Sequence, residues 1–230
     1  MENEIISYTE MCQRERVNSL QQGMNFGRGP GYSVILMSRR KDAPYKDELR
    51  DGGTVLIYEG HDAPKTSDTP NPKLVDQPER TKTGRLTQNG LFHRAAQDAK
   101  QGIRSPERVR VYEKIQRGIW SYNGMFHLVD SWKETTNGRN VFKFKLIAVE
   151  GDEVPFAQQT SESSRRRLIP TAVKLAVWKR DRGRCVICGA TDELHFDHIV
   201  PYSKGGTSLV PENVQLLCSR HNLEKRDQIR

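Results

Sequence analysis

The feature that most limits what this chain can fold into is a pair of half-knuckles near its C-terminus. Cys185-Val-Ile-Cys188 and Cys218-Ser-Arg-His221 stand 29 residues apart. Three thiolates and an imidazole at these spacings can close a tetrahedral Zn²⁺ site of Cys₃His type. Such a site holds together a module too small to rely on its own apolar core. Free cysteines in a reduced protein are the alternative, and they leave the repeated spacing unexplained. Of the four cysteines in 230 residues, three fall within the last 46. That clustering speaks against a secreted disulfide scaffold and for a local metal site in a reducing compartment, with Cys12 a bystander.

Inside and just after the knuckles stand Asp197, His198, Asn213 and Asn222. A carboxylate beside a histidine, followed by an oxygen donor on a later helix, suits one hard divalent ion with the histidine facing the adjoining water. Read as a strand, residues 193–200 put His195 and Asp197 on one face and Phe196 on the other. His195 is expected to be structural or at the surface, with a minor role near the metal as the alternative.

This layout resembles the HNH, or ββα-metal, nuclease motif. The resemblance implies that His198 is the general base, that Asp197 and Asn222 ligate Mg²⁺ or Mn²⁺, and that Asn213 orients the His198 ring by a hydrogen bond. Pro201 and the Gly205-Gly206 turn also match. Asn222 stands where the family name has its last histidine, and His221 where many relatives have a second cysteine. A swap of His221 and Asn222 between the two metal sites therefore stays open. Lys204, Arg220 and Lys225 are candidates to neutralise the phosphate, or are a solvated basic face. A zinc module that only binds DNA is the competing reading, and it does not need the Asp-His pair.

Charge divides the chain in the same place. The formal net charge is +8. Residues 164–230 carry 13 Lys/Arg against seven Asp/Glu, a net of +6, and the other 163 residues only +2. An excess of cations permits nucleic acid as a partner. Mean hydropathy is −0.75, and no stretch approaches the 18 apolar residues of a membrane span. The front of the chain has no apolar core of a secretory signal, so a cytoplasmic protein of a bacterium or archaeon is expected.

The first 150 residues read as β-rich. A short amphipathic helix (Ile5, Ile6, Tyr8, Met11) and a glycine cluster, 23–31, come first. Runs 32–37 and 54–60 are apolar enough for buried strands. The polar stretch 61–85, with prolines 64, 70, 72 and 78, is expected to be an exposed and partly disordered excursion. Residues 86–102 have helical spacing. Further strands are expected at 109–115, 118–123, 125–134 and 140–149, with hairpin turns at Asn123-Gly124 and Asn137-Gly138. Trp120 and Trp132 are expected in the core. Residues 151–169 read as a linker, and Pro170 as the first residue of a helix.

The order SVILMSRR, APYKDELRDGG, TVLIYEG, LTQNGLF, VRVYE, WSYNGMFHLVDSW, VFKFKL resembles the SRA (SET- and RING-associated) domain over residues 31–149. Members bind DNA containing a modified cytosine and flip that base into a pocket, where two aromatic rings stack it and a carboxylate reads its edge. The resemblance implies Tyr45 and Tyr58 for the rings and Asp47 for the edge, with Glu48 and Asp51 as substitutes. Extrusion of a base costs a few kcal/mol, which stacking and hydrogen bonds offset.

The expected fold is therefore α+β: an N-terminal β-rich SRA-like (PUA-like) barrel, residues 1–150, a linker, 151–169, and a zinc-stabilised ββα-metal (HNH) module, 170–230. The expected function is a modification-dependent DNA endonuclease acting on duplex DNA with 5-methylcytosine or 5-hydroxymethylcytosine. One active site per chain implies a homodimer, or two molecules meeting on DNA. The competing readings are a non-catalytic reader of modified DNA and an HNH nuclease indifferent to modification.

Overall fold

The computed structural model describes all residues except 1–2, 21, 41–42, 52–53, 150–167, 226–227 and 230. The apolar and β-branched runs form ten strands of one sheet: β1 (Glu4–Ser7), β2 (Met24–Gly29), β3 (Tyr32–Met37), β4 (Glu48–Arg50), β5 (Val55–Glu59), β6 (Glu107–Gln116), β7 (Ile119–Thr136), β8 (Arg139–Ala148), β9 (Leu194–His198) and β10 (Val214–Cys218). Four helices accompany them: α1 (Tyr8–Arg14), α2 (Gln88–Lys100), α3 (Thr171–Arg180) and α4 (Ser219–Lys225). The strand order is β10-β9-β1-β7-β6-β3-β2, with an arm from β7 through β8 and β5 to β4. β3 and β6 pair in parallel.

Three cores lie on this sheet, the third formed by Ile6, Met11, Cys12, Leu20, Val34, Tyr112, Trp120 and Tyr122. Met24, Ile35, Leu56, Phe92, Val109, Phe126 and Phe144, from β2, β3, β5, α2, β6, β7 and β8, meet in one buried cluster, so the sheet curls around α2. Ile169, Val173, Val177, Phe196, Val214 and Leu216 form the core of the C-terminal module. Leu168 belongs to the first core and Ile169 to the second. The last two residues of the expected linker are thus fully buried, and the remainder of it lies outside the described residues.

The modules share backbone and side chains. Strand β1 pairs with β7 along Glu4–Ser7 and, through Glu4 opposite His195, with the strand that ends in His198. Beside it, the fully buried Lys174 of α3 donates to Glu113 of β6 at 2.8 Å, to Ser121 at 3.1 Å and to Asn123 at 2.5 Å. Burial pushes the Glu113 carboxyl up, but Lys174, Thr171 and Asn123 together hold it below its ordinary value.

This network explains one correction. Asn123-Gly124 is not a turn; β7 runs straight through it, and the hairpin with β6 turns at Arg117-Gly118. Asn123 is buried because Glu113 and Lys174 satisfy its amide, and Gly124 (φ 86°) lies where the β6–β7 register shifts. The Asn137-Gly138 turn is present, both residues having positive φ as a two-residue hairpin requires. Pro170 is the N-cap of α3 rather than its first residue. Segment 61–85 is strapped along β8: Asp76 accepts from the Asn140 backbone, Gln77 donates to the Asn140 carbonyl, and Arg139 donates to the carbonyls of Pro72 and Val75. Trp132 is half-buried with its indole N–H on Glu134, while Trp120 is buried as expected.

Candidate functional site

The four knuckle residues converge. The ligand atoms of Cys185, Cys188, Cys218 and His221 all lie within 4.8 Å of one another. His221 Nδ1 stands 3.4 Å from Cys185 Sγ and 3.3 Å from Cys218 Sγ, and Cys188 Sγ is 3.8 Å from Cys218 Sγ. Tetrahedral Zn²⁺ with ordinary bond lengths demands sulfur–sulfur separations of about 3.8 Å and sulfur–nitrogen separations of about 3.6 Å. The cluster fits structural zinc. Burial raises the Cys185 thiol, but backbone N–H groups of Cys188 and Cys218 outweigh it and bring it down to about 6, ready to be a thiolate. The nitrogen that stands among the sulfurs is Nδ1 of His221.

In the β9–β10 hairpin, between the two knuckles in sequence, Asp197 and His198 end β9, opposite Gln215 and Val214. His198 is held through Nε2, 2.9 Å from the buried Ser208 hydroxyl. Burial lowers its pKa, helped by Lys225 and opposed by Asp197, so the ring is neutral near pH 7. Asn213 does not reach the ring. Its Oδ1 accepts from Val200 N–H at 2.8 Å and its Nδ2 donates to the carbonyls of Val200 and Thr207, which uses both amide hydrogens to brace loop 199–207. Gly206 sits inside that brace, where a Cβ would meet the Val200 carbonyl oxygen at 1.8 Å. Ser208, which no motif marks, holds the ring instead.

Asn222 lies on α4, one turn before Lys225, hence on the same helix face. Lys225 is not a cation facing the phosphate. It is fully buried, with its ammonium 2.9 Å from Asp197 Oδ2 and donating to the His198 carbonyl. Lys204 and Arg220 are both exposed. His195 is buried in β9, opposite Glu4 and Leu217. A carboxylate and an amide oxygen are a hard donor set of the kind that Mg²⁺ or Mn²⁺ prefers.

In the N-terminal module, Tyr45, Asp47 and Tyr58 line one cavity of about 610 Å³, together with His61, Lys114 and Trp120. Tyr45 comes from the β3–β4 loop and Tyr58 from β5. Asp47 is buried and accepts from the backbone N–H groups of Ser38 and Glu59 at 3.1 and 3.2 Å. Burial pushes its carboxyl up to about 7, against these two donors. Glu48 is exposed in a pair with Arg50, and Asp51 is exposed too, so Asp47 is the loop carboxylate on the cavity.

Tyr58 is 1% exposed, its ring packed in the main core and its hydroxyl 3.0 Å from His61 Nε2. The ring stacked on Tyr45 is that of His61, at 5.1 Å between centroids and 11° between planes. Burial lowers His61 to about 4, so it is uncharged. Gly23 closes the wall: a Cβ there would meet His61 and Tyr58 at 2.7 and 2.8 Å. His61 had no motif to mark it.

The sequence matches the SAD/SRA domain over residues 6–152 and the HNH endonuclease over residues 185–228. No curated protein gives a significant match. Among solved structures, the chain is similar to the SRA domain of SUVH5 in complex with hemimethylated CG DNA, at 24% identity and TM-score 0.44, over 66% of this chain and 90% of that one. It is similar to the modification-dependent TagI restriction endonuclease at 19% identity and TM-score 0.43, over 97% of this chain and 76% of that one. It is also similar to Arabidopsis thaliana SUVH6 in complex with SAM, at 19% identity and TM-score 0.42, over 86% of this chain and 31% of that one. By a match that spans well over half its length, the chain belongs to the SAD/SRA domain family, and it carries an HNH endonuclease domain behind that domain.

Proposed function

We propose that this nuclease reads 5-methylcytosine or 5-hydroxymethylcytosine flipped out of duplex DNA and hydrolyses phosphodiester bonds nearby. The observation that carries the reading is the convergence of Tyr45, Asp47 and Tyr58 on one cavity, in a chain whose other end holds Asp197-His198 beside a Cys₃His cluster. Tyr45 supplies the stacking face, which His61 covers in the DNA-free protein. Asp47 accepts from the exocyclic amine of cytosine. Tyr58 forms the cavity floor through its hydroxyl.

In the cutting step, His198 Nδ1 takes the proton of the attacking water. For that, Nε2 must carry its own hydrogen and donate to Ser208, which fixes the tautomer. Asp197 and Asn222 would hold a divalent ion, Mg²⁺ or Mn²⁺, which would supply charge neutralisation at the phosphate and the leaving oxygen. Asn213 keeps the loop under His198 in shape. Zn²⁺ on Cys185, Cys188, Cys218 and His221 anchors α4 to the knuckle. We place the module boundaries at 1–150, 151–169 and 170–230, and two chains, as a homodimer, on duplex DNA. No helix among the described residues is long and apolar enough to cross a membrane; a bacterial or archaeal cytoplasm is the setting in which such an enzyme acts.

The test is cleavage of duplexes carrying cytosine, 5-methylcytosine, 5-hydroxymethylcytosine or glucosylated cytosine, with Mg²⁺ or Mn²⁺. Preferential cutting of modified duplexes is expected. Equal cutting of all four would mean a nuclease indifferent to modification.

A further inference from the structure

Two donors converge on one oxygen of Asp197. The Lys225 ammonium is 2.9 Å from Oδ2, and Gln215 Nε2 donates to the same atom at 3.3 Å. Gln215 stands directly across the β9–β10 ladder from Asp197. Among the described residues no donor reaches Oδ1. Lys225 also donates to the carbonyl of His198, the neighbouring residue, so a single ammonium ties both ends of the Asp197-His198 step.

A fully buried ammonium is a poor way to stabilise a small module. Taking the charge out of water is costly, and apolar side chains of similar volume commonly replace such pairs without loss. Lys225 is 0% exposed, in a seven-residue helix of the C-terminal module. Its placement has a geometric result that an apolar side chain would lack. Helix α4 carries the zinc-cluster residue His221 near its start, Asn222 in its middle and Lys225 at its end. The cluster therefore sets one end of the helix, and the Lys225–Asp197 contact sets the other against β9.

We propose that Lys225 and Gln215 are positioning residues that commit Oδ2 of Asp197 and thereby restrict this carboxylate to single-oxygen coordination, through Oδ1, of the catalytic divalent ion. The assignment rests on the reading of Asp197 as a ligand of that ion. A carboxylate can chelate with one oxygen or two; here the second is already spoken for. The same contact fixes the distance between Asp197 and Asn222, which sit on different elements.

Full-length K225M, K225R and Q215L are compared with the wild type. Mn²⁺ binding followed by electron paramagnetic resonance is the readout that does not involve turnover. In K225M the ammonium is gone and only the longer Gln215 contact remains on Oδ2, so Mn²⁺ binds at least as tightly as in the wild type, with an altered line shape. The kcat for cutting methylated plasmid falls by roughly 10–100-fold, the usual loss when a partner of a metal ligand is removed, with KM for DNA unchanged. K225R keeps the pair and recovers most of the loss; Q215L shows a smaller fall of the same kind. Zinc content and the melting transition report folding, and if K225M loses either, Q215L carries the test. Wild-type kcat together with an unchanged Mn²⁺ spectrum in the folded variants overturns the proposal. D197A separates the two levels: if it binds Mn²⁺ like the wild type, it is the ligand reading that fails.

Discussion

The nuclease module and the base cavity share one sheet, yet different physics holds their functional side chains. In the C-terminal module, short elements (two five-residue strands and a seven-residue helix) are fixed by a Cys₃His cluster and by polar contacts from Lys225, Ser208 and Asn213. In the N-terminal module, the cavity lies between two apolar cores, with Tyr58 from the larger and Leu20 and Trp120 from the smaller, and residues as far apart as Tyr8 and Trp120 line it. One site is assembled by ligands and hydrogen bonds, the other by packing. Perturbations that act on ligands should therefore separate cutting from reading.

The largest effect tests that separation. Removing zinc with a chelator, or by Cys188→Ser at the exposed member of the cluster, is expected to abolish cleavage while the full chain still binds methylated DNA in a gel shift. Binding that vanishes together with cutting would show that strand β1, paired to both modules, makes them one cooperative unit. Next comes His198→Ala, which should lower kcat by about 10²–10⁴-fold, the usual worth of a positioned base, without moving the melting temperature. A fall in both would turn His198 from a chemical group into a structural one.

Lys174→Met attacks the junction itself. It leaves Glu113 buried and unpaired, and the expected loss is about 3–5 kcal/mol of unfolding free energy, read from the denaturant midpoint. The double variant Lys174→Met, Glu113→Gln should recover part of it, because the orphaned charge is gone. A single transition in both variants would argue that the two modules melt together.

Legibility in the sequence follows the same divide. The zinc ligands were readable because two-residue spacing is a local property that thiolate chemistry uses directly, and the structure brings all four together. Asp197-His198 was readable as a carboxylate beside a histidine, the pair that the resemblance to the HNH motif marks. What escaped were groups that act through tertiary contact. Ser208 reaches His198 across a ten-residue loop, and Lys225 looks in sequence like any surface lysine. His61 gains its place only because Gly23, from a distant strand edge, lets it approach Tyr58. Asn123-Gly124 failed for the opposite reason: a strong local turn signal lost to a buried partner, Lys174, from the other module. Tyr45, Asp47 and Tyr58 were found by the resemblance to SRA domains, since nothing in their spacing alone marks a cavity.

Two smaller effects probe the packed site. Tyr45→Ala should lower affinity for methylated over unmodified duplex by about 1–3 kcal/mol, the value of one stacked base, in competition binding. His61→Ala, if His61 merely covers the empty face of Tyr45, should leave that discrimination intact or improve it.

The effect that best distinguishes packing from ligand control is the pH dependence of Asp47. Its carboxyl is raised to about 7, first by burial and further by Glu59, while the N–H groups of Glu59 and Ser38 and the charge of Lys143 oppose the rise. In the unfolded chain the group returns to the ordinary carboxylate range, near 4. Between these values the folded protein holds the proton more tightly than the unfolded one, so the Asp47 contribution to stability falls as pH rises through that window and levels off above about 7. Asp47→Asn removes the titrating proton. The wild-type minus variant difference in unfolding free energy should therefore decline from pH 4 to 7 and stay flat beyond. A difference that is constant with pH would mean that water reaches the carboxylate in the open cavity. The site would then be closer in kind to the solvated, ligand-held module than to the packed core.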